Sequence, residues 1–241
     1  MNHTRTYLDV HFIEGETISL CRKDFHHELN VLRKKAGDQF IVFDGKGNSA
    51  LVEVVFINNK NFEIMVLEKF PPSPREGILI DLGQALIKKE PFNFALQKAT
   101  ELGVAFFSPL VTERVVVSRK LNNSQRKMDR WMQTAKGACE QCGENWMPEI
   151  TEPIDLTDWS IKSQSKTKLV LYPEAEIRIS EIEIDHSVSL AIGPEGDFTE
   201  TEIEILQGAK FIPVRMGKRI LRAETAAISA LSAIRYAAKE F

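Results

Sequence analysis

Two short runs in the last third of the chain carry residue types suited to holding a ligand. Leu190-Ala191-Ile192-Gly193-Pro194-Glu195-Gly196-Asp197-Phe198-Thr199 reads as a buried strand ending in a glycine-proline turn. Thr199 opens a helix, with Glu202 three residues on in the capping-box pattern. The second run, Met216-Gly217-Lys218-Arg219-Ile220-Leu221-Arg222-Ala223-Glu224-Thr225-Ala226, repeats the arrangement. The apolar stretch Phe211 to Met216 enters a loop at Gly217, and Glu224 to Phe241 reads as a long helix. Paired strand-end loops are a common way to build a ligand site in an α/β fold. Neither run is a GxxxxGK[ST] phosphate cradle or a GxGxxG dinucleotide turn, so the ligand is of another kind. Gly193 and Gly196 would let backbone amides approach it closely, although a plain strand-to-helix turn also uses glycine. Ile220-Leu221-Arg222 sets two bulky apolar groups beside a cation; the same residues also read as a helix entry whose leucine fills the core.

Other chemistry-bearing residues are weaker candidates. Cys139-Glu140-Gln141-Cys142 has CxxC spacing but follows a helical run, and no second pair of metal ligands lies nearby, so the expectation is no metal and no redox role. His26 and His27 are adjacent, so on a strand they face opposite ways. His186 precedes a strand and reads as a surface residue. No Ser-His-Asp spacing points to hydrolysis.

The two strand-end runs resemble the C-terminal signature of the ribosomal RNA uridine-N3 methyltransferases, a family of the SPOUT (trefoil-knot) superfamily. The resemblance extends in order along the chain through His27-Glu28-Leu29-Asn30-Val31-Leu32-Arg33 with Gly37-Asp38, Gln97-Lys98-Ala99-Thr100-Glu101-Leu102-Gly103, Glu113-Arg114 and Glu140-Gln141-Cys142-Gly143. It implies a PUA-like β-barrel that binds RNA, a SPOUT domain whose C-terminal segment is threaded as a trefoil knot, S-adenosyl-L-methionine as cofactor, and a homodimer. The implied cofactor site comprises Leu171, Ile192, Gly193, Pro194, Glu195, Gly196, Met216, Gly217, Ile220, Leu221, Arg222, Thr225 and Ala226. The substrate implied is small-subunit ribosomal RNA, within an assembled or nearly assembled subunit. Two positions depart from the pattern: Glu144 stands where arginine is usual, and Asp197 where a second glycine is usual.

The elements that must position these residues divide at a linker. Short strands at Phe40–Phe43, Ala50–Ile57 and Phe62–Leu67, separated by turns at Asp44–Asn48 and Asn58–Asn61, predict a small barrel. Phe70-Pro71-Pro72-Ser73-Pro74 favours an extended link, which sets the domains at 1–72 and 73–241. Beyond it strands and helices alternate. Strands are expected at Ile78–Leu82, Lys168–Tyr172, Val188–Ile192 and Phe211–Met216. Helices are expected from Pro91, with an apolar stripe of Phe94, Ala95, Ala99 and Leu102 capped by Gly103, and over Ser124–Ala138. Ile161–Thr167 is polar and reads as a surface loop. The pattern predicts an α/β fold with a mainly parallel sheet, and periodicity alone points to ordinary double winding.

Composition sets the remaining bounds. No stretch approaches a membrane span, the N-terminus lacks an apolar signal segment, and three cysteines form no disulfide framework, so a reducing cytoplasm is expected. The net charge is −3, yet Arg114 to Lys136 holds seven basic residues against the single acid Asp129. Such a stretch can steer a polyanion to one face, or simply be a solvated helix face. RNA contact is accordingly expected at Arg114, Arg126 and Lys127, while His27 and Arg33, in the N-terminal stretch of the resemblance, are expected to contact RNA or to pack in the barrel. The expected reaction is attack of uridine N3 on the cofactor's methyl carbon. Arg222 would stabilise the N3 anion, and Glu224 is the candidate proton acceptor. The alternatives are a non-catalytic RNA-binding protein of ribosome assembly, and a SPOUT methyltransferase acting on another RNA position.

Overall fold

The computed structural model describes residues 4–21, 34–58, 61–114 and 124–240. The chain clusters into two compact units. One comprises residues 1–75 and 139–147, the other residues 76–138 and 148–241.

The first unit is built on a five-stranded sheet: β1 (Arg5–Tyr7), β2 (Thr17–Cys21), β3 (Gln39–Phe43), β4 (Ser49–Ile57) and β5 (Asn61–Lys69), in the order β1-β3-β4-β5-β2. All neighbours are antiparallel except β1 and β3. Alternate residues of β4 and β5, among them Val52, Val54, Phe62, Ile64 and Val66, point into one core with Phe40 and Val42. That is the period-two burial expected of half-covered strands. The β3–β4 turn closes around Asp44, whose carboxylate accepts the amides of Lys46 (2.7 Å) and Asn48 (3.0 Å).

Residues Cys139–Met147 belong to this unit despite their distance in sequence. The Trp146 indole donates to the Ser73 carbonyl (3.0 Å), and its ring lies so close to Gly47 that a Cβ there would meet it at 2.7 Å. Glu144 turns its carboxylate onto the amides of Asn145 (2.7 Å) and Trp146 (3.0 Å). The acid that replaces the family's usual arginine therefore serves its own turn. Cys139 is buried, and burial pushes its thiol up to about 12. A thiol that stays protonated is a poor nucleophile and metal ligand.

The second unit carries a seven-stranded sheet in which every pairing is parallel. Its strands are β6 (Leu79–Ala85), β7 (Phe106–Val111), β8 (Glu149–Ile150), β9 (Ile154–Asp155), β10 (Thr167–Leu171), β11 (Ser187–Ile192) and β12 (Ile212–Val214). The order is β12-β10-β11-β6-β7-β8, with β9 also on β7. The helices are α1 (Lys89–Glu101), α2 (Ser124–Cys142), α3 (Leu156–Lys162), α4 (Glu200–Gly208) and α5 (Ala223–Ala237).

Four expectations are corrected. Phe92 and Leu96, with Ala95 and Ala99, form the buried stripe of α1, while Phe94 is 46% exposed. The polar stretch from Ile161 is not simply a surface loop: Ile161 and Lys162 end α3, Ser163 is buried, its hydroxyl paired with that of Ser189 (2.8 Å), and Thr167 starts β10. Strand β12 stops at Val214, because the main chain of Arg215 pairs with Ile177 and Ile179 instead. Helix α5 ends at Ala237, and the chain then turns back through Lys239 at φ +63°.

That return fastens the unit. The Arg235 guanidinium donates to the carbonyls of Leu102 (2.8 Å) and Gly103 (2.5 Å), which end α1, and binds the Glu240 carboxylate. Glu240 in turn accepts the amide of Ile78, just before β6 (2.5 Å). Helix α5 packs on α1 and on the 3-10 turn Ile179–Glu181.

Candidate functional site

Three adjacent parallel strands, β12, β10 and β11, end side by side, and the loops that leave them enclose a cavity of about 560 Å³. Leu171 and Tyr172 enter it from β10, Ile192 to Glu195 from β11, and Val214 to Gly217 from β12. Ile220, Leu221, Arg222, Glu224 and Ala226 complete the wall through the entry to α5. The register explains the convergence: Leu171 pairs with Val214 and Val170 with Ala191, so the strands run out together.

The β11 loop is held from several sides. The Asp197 amide donates to the Pro194 carbonyl (3.0 Å), closing the turn, and buried Phe198 anchors it. Thr199 and Glu202 make the reciprocal capping box at the start of α4. Glu202 is only 3% exposed, and its other carboxylate oxygen accepts the amide of Glu113 (2.8 Å). A buried carboxylate is tolerated when hydrogen bonds take up its charge, as the amides of Glu113 and Thr199 do here. Glu195 reaches across to the amide of Lys88 (3.2 Å), at the N-terminal cap of α1.

Of the residues expected at a cofactor site, the cavity gathers Leu171, Ile192, Gly193, Pro194, Glu195, Met216, Gly217, Ile220, Leu221, Arg222 and Ala226, with Glu224 among them. Gly196 and Thr225 do not line it. The Gly196 carbonyl accepts a hydrogen bond from Arg114 (2.6 Å), and Thr225 faces a second, more open cavity shared with Asn93, Gln97 and Gln133. Arg222 sits at the N-cap of α5 without capping it, and its exposed side chain has no hydrogen-bond or ion-pair partner among the described residues. Ile220 is 85% exposed.

Sequence reasoning missed Lys88, Pro91, Tyr172, Arg215 and Arg219 in the wall. Tyr172 had a signal, as the end of an expected strand; Lys88 and Pro91 had none, being more distant along the chain. Asp197 also lines the cavity, with its carboxyl pushed up by burial.

The RNA-directed residues do not gather with these. His27 and Arg33, with His26, Arg119 and Lys120, lie outside the described residues. Arg126 is exposed and Lys127 half-buried on α2, and neither lines the cavity. His186 is exposed beside Asp185. Among the described residues no cluster of His, Cys, Asp or Glu has metal-holding geometry, and no helix is long and apolar enough to cross a membrane.

Comparison with known proteins agrees with this architecture. An RNA methyltransferase domain model matches residues 74–235, and an RNA methyltransferase PUA domain model matches residues 20–67. The chain is 36% identical to the ribosomal RNA small subunit methyltransferase E of Buchnera aphidicola over 95% of its own length and 94% of the relative's. A methyltransferase of Legionella pneumophila solved with bound SAM superposes with a TM-score of 0.93 at 33% identity, with 98% of each chain covered. The ribosomal RNA small subunit methyltransferase E of Neisseria gonorrhoeae, bound to S-adenosyl methionine, gives 0.89 at 30% identity, again with 98% of each covered. A PUA-like β unit, a parallel sheet of SPOUT type and this level of identity over nearly the whole chain lead to one assignment: the chain belongs to the RNA methyltransferase family typified by ribosomal RNA small subunit methyltransferase E.

Proposed function

We propose that the chain transfers a methyl group from S-adenosylmethionine to N3 of a uridine in small-subunit ribosomal RNA. The observation that carries this reading is the convergence of three parallel strand ends on one apolar-walled cavity. The names of the relatives point to the RNA, and the solved relatives to the cofactor.

The residues present fit that cofactor. A cavity of about 560 Å³ lies in the range of small-molecule sites. Leu171, Ile192, Met216 and Leu221 offer apolar wall, and exposed Ile220 offers surface for a flat ring to cover. Gly193 is closely surrounded: a Cβ there would lie 3.1 Å from the Asp197 carboxylate and 3.2 Å from the Phe198 ring, so a side chain fits only if these neighbours shift. When bound, S-adenosylmethionine supplies a methyl group made electrophilic by its sulfonium.

The chain's own residues do the rest. The walls fix orientation, which supplies much of the rate of a displacement. Arg222 holds the negative charge that develops on the uracil as N3 loses its proton. Glu224, in the first turn of α5, lines both cavities and is the candidate proton acceptor. Because N3 lies on the pairing edge, the target nucleotide is unpaired or flipped. The first unit, residues 1–75 with 139–147, is the RNA-binding part in place of a division at 72/73, and the second is the transferase domain, with Arg126 and Lys127 touching flanking phosphates. The main-chain bonds of Arg215 to Ile177 and Ile179 set the segment leading to α5 parallel beside residues 177–179, and the C-terminal trefoil knot is what the SPOUT resemblance implies. The enzyme works in the cytoplasm as a homodimer on an assembled or nearly assembled subunit.

The deciding experiment maps modified nucleosides in small-subunit RNA from a deletion strain. One 3-methyluridine should vanish and return on complementation, while an unchanged modification profile rejects the reading.

A further inference from the structure

Three non-glycine residues among those described have positive φ: Asp197, Lys210 and Lys239. The two lysines follow helix ends, where a left-handed residue is ordinary. Asp197 does not. It stands at φ +62° between a strand and a helix, on the wall of the cavity, in a conformation that glycine adopts without strain. Its carboxylate is also half-buried, and burial outweighs the amide of Phe198 and the nearby Arg114 in raising its pKa; Glu174 and Glu202 push in the same direction as burial. A left-handed backbone, held by the local bond to the Phe198 amide, and a partly desolvated charge thus coincide at one residue that lines the cavity.

The cavity is polarised. The β11 loop brings the carboxylates of Glu195 and Asp197, with Lys88 near Glu195, and the segment from β12 into α5 brings Arg215, Arg219 and Arg222 together with Glu224. A fixed negative charge on a partly dry wall favours a cationic ligand over its neutral counterpart. We propose that Asp197 makes the cavity discriminate by charge, holding the sulfonium cofactor more tightly than the neutral thioether left after transfer. The inference rests on the methyl-transfer reading above and adds a specificity-determining residue to it. Its consequence is that product release is eased by the same group that favours cofactor entry.

The test measures binding of S-adenosylmethionine and of S-adenosylhomocysteine by calorimetry on the full chain and on two variants. Asp197→Gly removes the charge and suits the backbone; Asp197→Asn removes the charge and keeps the shape. In both, the preference for S-adenosylmethionine over S-adenosylhomocysteine should fall by roughly five-fold or more, through loss of S-adenosylmethionine affinity. An unchanged ratio, or an equal loss for both ligands, overturns the inference. Failure of the unaltered chain to bind either ligand overturns the methyl-transfer reading instead, so the two failures are distinguishable.

Discussion

The guanidinium of Arg114 donates a 2.6 Å hydrogen bond to the carbonyl oxygen of Gly196, tying the segment after β7 to the turn that walls the cavity. A Cβ at Gly196 would meet the Arg114 side chain at 3.4 Å, so the two are packed as well as bonded. An arginine expected from sequence to touch RNA is thereby engaged with the candidate cofactor loop. Arg114→Ala should weaken S-adenosylmethionine binding about five-fold, the loss of about 1 kcal/mol for an exposed charge-assisted bond. The salt dependence of RNA binding should barely change. A fall of about one unit in that slope, with cofactor affinity intact, would return Arg114 to the RNA contacts.

Among the described residues Arg126 and Lys127 have no such engagement, and neither lines the cavity. Reversing both to Glu should weaken RNA binding and reduce the slope of log affinity against log salt by about two units. Cofactor affinity should not move. An unchanged slope would identify this stretch as a solvated helix face.

Arg222 separates chemistry from binding. It occupies the N-cap of α5 but provides no capping hydrogen bond, so Arg222→Ala removes a cation without removing a cap. If that cation stabilises the N3 anion, single-turnover methyl transfer at saturating RNA and cofactor should fall by roughly 100-fold or more. Lysine should restore only part of the rate, since a point charge lacks the planar fork. Raising the pH should partly rescue the alanine variant. Full rate with lost cofactor affinity would place Arg222 in the binding wall.

Within the second unit Asp81 receives the indole N–H of Trp159 (3.2 Å), and burial raises its pKa from 3.8 to about 6. The folded chain thus binds this proton more tightly than the unfolded chain. The resulting stabilisation is complete below about pH 4 and is lost as pH rises through 6. The difference amounts to at most about 2–3 kcal/mol. Asp81→Asn should flatten denaturant stability between pH 4 and 7, and Trp159 fluorescence in the parent chain should titrate near pH 6. Identical pH profiles for the two chains would contradict the assignment.

Much of this architecture is local, and what is local was legible. Strands β3 to β5 declare themselves by alternation and by the Asp44–Asn48 turn, and the capping box at Thr199 and Glu202 is written within four residues. Strand β7 was illegible because Pro109 lies inside it, paired with Gln84, where a strand interior usually excludes proline. The stripe of α1 was misread because Phe92 and Phe94 are equally apolar in sequence. Phe92 packs on the rings of Phe107 (5.6 Å) and Trp131 (4.9 Å), whereas Phe94 stays exposed with the Lys98 ammonium 5.8 Å over its ring. The candidate site divides in the same way. Its strand-end glycines and apolar residues stand in two continuous runs, whereas Lys88 and Pro91 reach it through the fold, and Glu202 finds Glu113 across 89 positions. Likewise, nothing local indicates that Cys139–Met147 joins the first unit.

The fastening made by Arg235 and Glu240 also orders events during synthesis. The carbonyls that end α1 and the amide just before β6 are satisfied by residues 132 to 162 positions later in the chain. The first strand and helix of the transferase unit therefore emerge early but wait, incompletely bonded, for Arg235 and Glu240 to arrive. A nascent chain stalled short of Arg235 holds a finished β-sheet unit and an open transferase unit, exposed to chaperones and proteases until Arg235 and Glu240 emerge.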